Sequence, residues 1–380
     1  MGADLFDSNI AAIAATLVIA LPLGEINMLF AFCSIGLFAS IIGVLLSHIG
    51  KKGNPSHALN NGTYLTCILF TVLTLIATLL CNFNIRIWLA SIIGMLIGII
   101  IGLTSNYFTG DDKMPVIRVA KSSQKGPAFT ILSGFSYGLL SSLPALIGIG
   151  LAALLSYKIC EPIGDGYAML GISMSAIGML SIVGMIISND AYGPIVDNAR
   201  GLAEMSNLGE DSIKIADELD SAGNTSKAIT KGFAIGAAGL TVISLLAAFA
   251  EIVTSSIGTS IGFDLMNPNV FFGSLVGVSI PAVFCAILIL GVNNNSQKLV
   301  TEIHRQFREI KGLKEGTVEP EYNKCIDIAT FGAIKELLPA GLIAIISPLI
   351  VGFIGGVSAI GGFLAGNILS RITSCNAYEQ

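Results

Sequence analysis

Residues 85–107 read IRIWLASIIGMLIGIIIGLTSNY and contain a single charged side chain, that of Arg86. A helix that crosses a membrane needs about 20 consecutive, mostly apolar residues. A buried β-strand is much shorter, roughly 4–8 residues. The length and composition of this stretch therefore predict a transmembrane helix.

The rest of the chain has the same character. Of its 380 residues, 53% are hydrophobic and 12% are charged, and the mean hydropathy is +0.80. A soluble domain carries about 25% charged residues, so the composition excludes an ordinary cytoplasmic enzyme and a disordered chain. A net charge of −5 without a basic run excludes a nucleic-acid binder. Long apolar runs also disfavour a transmembrane β-barrel, whose strands alternate apolar and polar residues. The sequence predicts an all-α, polytopic membrane helix bundle.

We expect one membrane domain over residues 1–380 and about ten transmembrane helices. Long cytoplasmic loops are expected near 109–127, 190–228 and 293–336. The first and the last two spans have the weakest patterns, because they are short or rich in glycine. The predicted spans are 8–24, 26–49, 63–82, 85–107, 128–157, 167–189, 229–250, 270–292, 337–354 and 356–374.

The distribution of basic residues predicts the orientation. With ten spans, both termini and four loops lie on one side, which holds 18 of the 20 Lys and Arg residues. Only Arg86 and Lys158 lie on the other side. By the positive-inside rule, both termini are predicted to be cytoplasmic. The protein is then an integral membrane protein, of the inner (plasma) membrane if its source is bacterial.

The seven cysteines and three histidines give no ligand pattern. The cysteines are scattered and include no CxxC pair, and the histidines lie far apart in sequence. We therefore interpret the cysteines as small hydrophobic residues and expect neither a disulfide framework nor a Cys/His metal site.

Two carboxylates lie in the segment SNDAYGPIVDNARGLAE (residues 188–204). Asp190 and Asp197 are seven residues apart, so they share one face of a helix. Gly193 and Pro194 between them are expected to loosen or kink that helix. A carboxylate pair at the end of a span suits a hard divalent cation such as Mg²⁺. Taken alone, a solvated helix end is the more common explanation of such a pair.

Two lysines follow in the segment DELDSAGNTSKAITKGFAIG (residues 217–236). Lys227 and Lys231 are one turn apart where a span begins. A lysine within a span is costly, so it pairs, faces an anion or extends to the membrane surface. Extension to the surface is a sufficient explanation for Lys227. The small residues after Lys231 permit close helix packing, which favours a polar cavity around that side chain.

As sequences, these segments are more distinctive than the charges and spacings of their residues. MGADLF (residues 1–6), SNDAYGPIVDNARGLAE and DELDSAGNTSKAITKGFAIG resemble signature segments of membrane-integral, proton-pumping pyrophosphatases. The resemblance covers nearly the whole chain in the family's order and is weaker in residues 25–110. Further matching segments are KSSQKGPAFTILSG (121–134), EYNKCIDIATFGAIKELLPAG (321–341) and SPLIVGFIGGVSAIGGFLAGNILS (347–370).

The resemblance implies a sixteen-helix homodimer in the lipid bilayer, of which the ten predicted spans would be the sixth to the fifteenth helices. It implies hydrolysis of cytoplasmic magnesium pyrophosphate coupled to outward transport of protons, or of Na⁺ in some members. Asp197 and Asn224 resemble the residues that bind Mg²⁺ and pyrophosphate and position the attacking water. Asp190 resembles a nearby motif aspartate. These three residues are the candidates for catalysis, and Asp197 and Asn224 are the candidate metal ligands.

The resemblance also implies an ion gate and independence of potassium. Asp4 and Lys231 resemble the gate pair, and Asp7 resembles the gate carboxylate of the potassium-independent branch. In that branch Lys and Thr stand where potassium-requiring members have Ala and a small residue, and this chain has Lys227 and Thr230. A fixed ammonium group can replace a bound K⁺ beside pyrophosphate. The resemblance therefore implies a potassium-independent proton pump.

Two departures and two absent segments set this chain apart from the family. Leu140 stands where the family has an intramembrane glutamate, and Arg200 replaces a glycine. Family segments that carry further carboxylates and a phosphate-binding lysine have no counterpart here, including a GDxxGDPxKDT-type motif. We expect a chain truncated at both ends that does not hydrolyse pyrophosphate as a lone polypeptide. The alternatives are one part of a split pump, a passive channel or secondary transporter, and a non-functional remnant.

Overall fold

A computed structural model describes residues 2–49, 53–206, 208–258 and 262–379, and no strand occurs in these ranges. The helical fold predicted from composition is confirmed. The chain divides into two compact units, one formed by the described residues of Met1–Ile261 with Cys375–Gln380 and the other by Gly262–Ser374. Each unit is described by itself.

The first unit contains nine α-helices in its described residues, and seven of them have more than 20 residues. α4 begins at the predicted residue, because Asn84 caps the helix by accepting a hydrogen bond from the Arg86 backbone N–H at 3.0 Å. The helices are α1 (Gly2–Leu23), α2 (Ile26–Leu46), α3 (Pro55–Leu80), α4 (Ile85–Thr109), α5 (Met114–Ser123), α6 (Pro127–Cys160), α7 (Tyr167–Leu180), α8 (Val183–Met205) and α9 (Glu210–Ile257).

Eight helices of the described chain are long and apolar enough to cross a membrane, or nine if the bent pair α7–α8 is one span. This pair contains the predicted span 167–189 and bends by 40°. The bend lies at Ser181–Ile182 and not at Pro194, where the sequence predicts it; α8 runs through Pro194 without a break. At the bend, the Ser181 hydroxyl donates to the Gly178 carbonyl at 2.6 Å and competes with the helical hydrogen bond.

The three segments expected as long loops contain much helix. Helix covers residues 114–123 of the expected loop 109–127, and residues 293–309 and 322–336 of the expected loop 293–336. The expected loop 190–228 is also mostly helical. Residues 190–205 continue α8, and residues 210–228 form the first part of α9. The two polar segments pack against each other. The Tyr192 hydroxyl donates to the Leu219 carbonyl at 3.4 Å, and the Ser226 hydroxyl donates to the Asn189 carbonyl at 3.2 Å. Tertiary contact thus stabilises helix in a sequence that is too polar to cross a membrane.

The centre of the first unit is α7, whose residues from Leu170 to Leu180 are all buried. It crosses α4 through a reciprocal glycine contact. A Cβ atom on Gly94 would collide with the Ser175 carbonyl oxygen, and one on Gly178 would collide with the Ser91 carbonyl oxygen. In both helices the serine precedes the glycine by three residues. The two backbones are therefore as close as small residues permit.

The second unit contains α10 (Pro268–Glu309) and, as far as Ser374, α11 (Tyr322–Glu379). α11 is broken at Gly356, which has φ +68°. A Cβ atom on Gly352 would lie 2.8 Å from Ile360 Cδ1. Residues eight apart are about 12 Å apart along a straight helix, so this contact requires the chain to turn back. Ten spans were predicted, whereas the described chain has eight or nine by length and composition, with α11 counted once. The turn at Gly356 lies where the predicted spans 337–354 and 356–374 meet.

Glycines also bring α10 close to the second half of α11. The contacts advance along both helices in the same direction, as expected for two parallel helices, and each would bring a Cβ atom against backbone. The pairs are Gly273 with Ala359, Gly277 with Phe363, Gly362 with Val270 and Gly366 with Ser274.

The polar end of α10 is fixed to the start of α11 by ion pairs. Arg305 lies 2.7 Å from Glu302, 2.8 Å from Glu309 and 2.6 Å from Glu321. Gln306 is buried and donates to the Glu302 carboxylate at 3.0 Å. Hydrogen bonds from Arg305 and then Gln306 lower the pKa of Glu302 from 4.5 to about 2. This group lies ten residues beyond the predicted span 270–292.

We expect Glu302→Gln to lower thermal stability at neutral pH by an amount that shrinks under acid. A carboxyl group whose pKa is depressed by folding stabilises the fold above its unfolded pKa. That stabilisation is lost as the pH falls toward the folded pKa, here between 4.5 and about 2. The measurement is the difference in melting temperature between the variant and the unmutated chain in detergent at pH 7, 5 and 3. The exposed Glu315→Gln is the control, and a deficit that stays constant down to pH 3 would contradict the prediction.

Candidate functional site

The candidate site lies where α8 crosses the polar half of α9. Two glycines permit the crossing, because a Cβ atom on Gly223 would lie 3.1 Å from Gly193 Cα and 2.6 Å from Val196 Cγ2. Gly193 also faces the Lys227 side chain, and a Cβ atom there would overlap it. Gly193, which was predicted to loosen or kink its helix, therefore makes room for the Lys227 side chain and does not kink α8.

Lys227 is the centre of the site. Its Nζ lies 3.9 Å from Asp197 Oδ2 on the neighbouring helix and donates to Asn224 Oδ1 at 3.4 Å. The Lys227 side chain is 27% exposed, whereas that of Asp197 is 63% exposed. The structure thus brings together three of the predicted residues, with an ammonium group between a carboxylate and an amide oxygen.

Asp220 belongs to the same site and is missed by the sequence analysis. Its Oδ2 accepts from Asn224 Nδ2 at 3.3 Å. Its Oδ1 is buried and has no hydrogen-bond partner among the described residues. The available signal is its spacing, four residues before Asn224 on one helix, which places both side chains on one face. Asp220 therefore adds an oxygen atom that is available to a ligand.

Asp190 does not join this cluster. Its Oδ2 accepts from the Gly2 backbone N–H at 3.0 Å, so it binds the first residues of α1. α1 packs along α9 and carries Asp4 and Asp7, which are both exposed. The shared face predicted for Asp190 and Asp197 thus serves two contacts, one with α1 and one with α9.

A cleft of about 650 Å³ runs along the other side of these α9 residues. It is lined by Lys227 and by Lys231, which is half-buried one turn further along α9; Thr230, between them, is 1% exposed. Lysine and carboxylate side chains together can bind an anion that carries a hard cation. The acidic and amide residues of the lining are Asp111, Asp217, Asp220 and Asn224.

Among the described residues, no three His, Cys, Asp or Glu side chains are grouped as a metal site. The chemistry of the donors nevertheless suits Mg²⁺, which proteins often bind through one or two carboxylates while substrate phosphates complete its shell. Asp197 and the unpartnered oxygen of Asp220 could each provide one carboxylate oxygen.

Of the two departures from the family pattern, Arg200 adjoins the site through Asp217, and Leu140 lies on another helix. Arg200 forms ion pairs with Asp217 at 2.7 Å and with Glu204 at 3.3 Å, so it joins α8 to α9. Leu140 lies on α6 and is 55% exposed. Arg200 therefore has a structural partner on the helix that carries the site.

Comparison with known proteins identifies a family that matches this chain. A family model described as inorganic H⁺ pyrophosphatase matches residues 1–377. Two relatives are a putative K⁺-stimulated pyrophosphate-energized sodium pump of Clostridium tetani and a K⁺-insensitive pyrophosphate-energized proton pump of Methanosarcina mazei. The first is 39% identical over 372 residues, which are 96% of this chain and 54% of the relative. The second is 37% identical over 375 residues, 97% of this chain and 55% of the relative.

A third relative, from Thermotoga maritima, is a K⁺-stimulated pyrophosphate-energized sodium pump and is 35% identical over 412 residues. The match covers 97% of this chain and 56% of the relative. The chain thus spans about half the length of the curated relatives it matches. Their names include both sodium pumps and proton pumps, so identity alone does not select the transported ion.

Proposed function

The chain belongs to the inorganic H⁺ pyrophosphatase family, as its signature segments predicted, and we propose that it works in a pump that couples hydrolysis of magnesium pyrophosphate to outward proton transport without K⁺. The observation that carries this proposal is the position of the Lys227 ammonium group, within 3.9 Å of Asp197 and 3.4 Å of Asn224. The ammonium group supplies a fixed positive charge beside a carboxylate and an amide, at the place where a potassium-requiring pump would bind K⁺.

In this proposal the residues of α8 and α9 form one side of the pyrophosphate site. Asp197 and Asp220 would hold Mg²⁺, with Asn224 beside Asp220. Mg²⁺, when bound, would offset the negative charge of the phosphates. Lys227 and Lys231 would contact phosphate oxygens from the cleft, since an ammonium group is a good point charge for phosphate.

Hydrolysis needs a water molecule and a carboxylate to orient it. Asp197 is 63% exposed and lies 3.9 Å from the Lys227 ammonium group, so its carboxylate can accept a hydrogen bond from that water. Attack on one phosphorus breaks the bridging P–O bond and gives two phosphate ions. The Lys227 ammonium group would stabilise the negative charge that develops on the phosphoryl oxygens.

Transport is assigned to the neighbouring part of the same helices. Lys231 lies one turn beyond Lys227, and α1 packs along α9 with Asp4 and Asp7. We propose that these three residues form the ion gate and that the proton is the transported ion. Because the chemical site and the gate share α9, the change in phosphate charge beside Lys227 would act on Lys231 from about one helical turn away, roughly 6 Å along the axis.

The proposed pump has both termini on the cytoplasmic side and acts as a homodimer. The orientation is supported by the 18 basic residues on that side. The dimer is supported only by the resemblance of this chain to the family. Crosslinking of the chain in its native membranes tests the dimer, and protease accessibility of a tag at each terminus tests the orientation.

The test of the enzymatic proposal is phosphate release from magnesium pyrophosphate by the tagged chain. The chain is isolated from its native membranes together with any polypeptide bound to it. We expect Asp197→Ala to reduce release about 100-fold or more, the usual effect of removing a group that acts in the transition state.

Asp165→Ala is the matched control, because Asp165 is exposed, equally charged, and lies between α6 and α7, on the side predicted to be opposite to Asp197. It is expected to leave the rate unchanged. Equal release by the unmutated chain and Asp197→Ala would contradict the catalytic assignment. Proton or sodium flux across vesicles made from the same membranes, driven by pyrophosphate, then identifies the ion.

A further inference from the structure

Arg200 is the only basic residue of α8, and the proposed function does not use it. Its side chain is 40% exposed and lies between two carboxylates. The Nε atom donates to Asp217 Oδ1 at 2.7 Å, and Nη1 lies 3.3 Å from Glu204 Oε2. A guanidinium group is always charged and presents its N–H donors in a rigid fork. Arg200 is therefore a permanent counterion for Asp217.

Asp217 belongs to the same cleft as the candidate metal ligand Asp220, since both carboxylates line it. The two residues are three apart on α9, so their Cβ atoms are about 5–6 Å apart. Carboxylate oxygens are the ligands that hard divalent cations prefer. The charge of Asp217 is already balanced by Arg200, whereas Asp220 Oδ1 is buried and has no hydrogen-bond partner in the part of the chain that the structure describes. The two carboxylates are thus unequal as metal ligands.

Charges of opposite sign face each other where α8 crosses α9. Asp197 and Arg200 are three residues apart and share one face of α8. Asp197 faces Lys227 at one end of the crossing, and Arg200 faces Asp217 at the other. Asp220 lies between these two pairs, about 4.5 Å from Asp217 and about 10.5 Å from Lys227 along the α9 axis. Two fixed cations therefore flank the carboxylate that is proposed to bind Mg²⁺.

The charge of Arg200 acts on both carboxylates of α9. Hydrogen bonding to Asp217 raises the pKa of the Arg200 guanidinium, and the charges of Glu204, Asp217 and Asp220 raise it further. This group lies eleven residues beyond the predicted span 167–189. The interaction is mutual, so a positive charge that attracts Asp220 also repels a cation bound there.

We propose that the Arg200 guanidinium takes the place of a divalent cation on Asp217 and confines metal binding in the cleft to Asp197 and Asp220. The proposal rests on the proposed function, because it takes the metal to be the Mg²⁺ of the pyrophosphate site. Arg200 acts on the metal through Asp217 and is a positioning residue. Its role toward Mg²⁺ is then parallel to the role of Lys227 toward K⁺.

The test is a titration with Mn²⁺ in the absence of pyrophosphate. The tagged chain is isolated from its native membranes with any bound polypeptide, and free Mn²⁺ is measured by electron paramagnetic resonance. Mn²⁺ is a suitable probe because it takes the same oxygen ligands as Mg²⁺. We expect Arg200→Ala to bind Mn²⁺ about tenfold more tightly, the Coulomb effect of one unit charge roughly 7 Å from a divalent cation in water.

Three variants connect this gain to Asp217 and to charge. Adding Asp217→Asn to Arg200→Ala should abolish the gain, because the freed carboxylate is then lost. Arg200→Lys retains the charge and should leave the affinity within about twofold of the unmutated chain, a result that a purely structural role of the guanidinium group does not give. Arg308→Ala is the matched control, which removes an exposed arginine of α10 and should leave the affinity unchanged.

Arg200→Gln is the second test variant, because it removes the charge and keeps a neutral donor for Asp217. It should show the same gain as Arg200→Ala. Unchanged Mn²⁺ affinity in both variants would overturn the proposal, as would a gain that persists with Asp217→Asn. Loss of monodisperse protein in both would also overturn it, because Arg200 would then be required for the fold.

The kinetics of phosphate release separate this role from direct contact with substrate. A higher KM for magnesium pyrophosphate in Arg200→Ala, without a change in Mn²⁺ affinity, would overturn the proposal and indicate that the guanidinium group binds phosphate. Because the Mn²⁺ titration involves no hydrolysis, a chain that releases no phosphate would contradict the proposed function and leave the result of the titration standing.

Discussion

Replacing Lys227 by alanine is expected to make phosphate release potassium-dependent. In K⁺-free medium the rate should fall about 100-fold, as when a preorganised electrostatic contact is removed from an active site. The remaining Asp197 carboxylate and Asn224 amide oxygen would face the space left by the ammonium group, which lay 3.9 and 3.4 Å from them. Both are hard oxygen donors, so added K⁺ should occupy this space and restore most of the rate.

The measurement is a K⁺ titration of phosphate release by the chain isolated from native membranes with its bound polypeptides. Lys214→Ala is the control, because Lys214 is exposed on the same helix, more than three turns before Lys227. It should show neither the loss nor the K⁺ response. A loss in Lys227→Ala that K⁺ does not restore would contradict the proposal that the ammonium group takes the place of a bound K⁺.

The largest structural effect is expected from Gly178→Val. A Cβ atom at this position would overlap the Ser91 carbonyl oxygen and lie 2.7 Å from Ser91 Cα, so the two backbones would have to separate. Overpacking by a few carbon atoms costs about 1–3 kcal/mol when side chains can adjust, and a backbone obstacle cannot adjust in this way. We expect a loss of more than about 3 kcal/mol and little monodisperse protein.

The measurement is the temperature at which half of the monodisperse size-exclusion peak is lost in detergent. Gly150→Val is the matched control, because a Cβ atom on Gly150 of α6 meets nothing within 4 Å. Its melting temperature should stay near that of the unmutated chain. Similar losses in both variants would indicate that valine is poorly tolerated in these helices for reasons other than the α4–α7 contact.

The transmembrane helices were largely predictable, because one apolar run of sufficient length determines each. α4 begins at the predicted residue and ends two residues beyond the predicted end. The polar half of α9 was not predictable in this way. Its composition over residues 210–228 indicates a solvated loop, and its helical form depends on contacts with α8, such as that from Ser226 to Asn189.

The candidate site was predictable in part. Lys227 and Asn224 are three residues apart, so their contact follows from helical spacing alone. The contact between Lys227 and Asp197 joins two helices, and no local pattern gives the register of that crossing. That register is set by Gly193 and Gly223, which in the sequence indicate only a loosened helix or a motif position. Asp220 could not be singled out, because an aspartate in an acidic stretch gives no sign of which oxygen becomes buried.

The continuity of α9 has a mechanical consequence. It runs from Glu210 to Ile257 as one helix that contains no proline, and Gly223 is its point of close approach to α8. From Gly223 to Ile257 a straight helix is about 50 Å long. If it pivots at Gly223 as a stiff lever, a tilt of about 5° displaces its far end by about 4 Å, while Lys227 moves by about 0.5 Å. Such a lever would convert a sub-ångström rearrangement around one phosphate into a displacement wide enough to admit or exclude water at the opposite membrane surface.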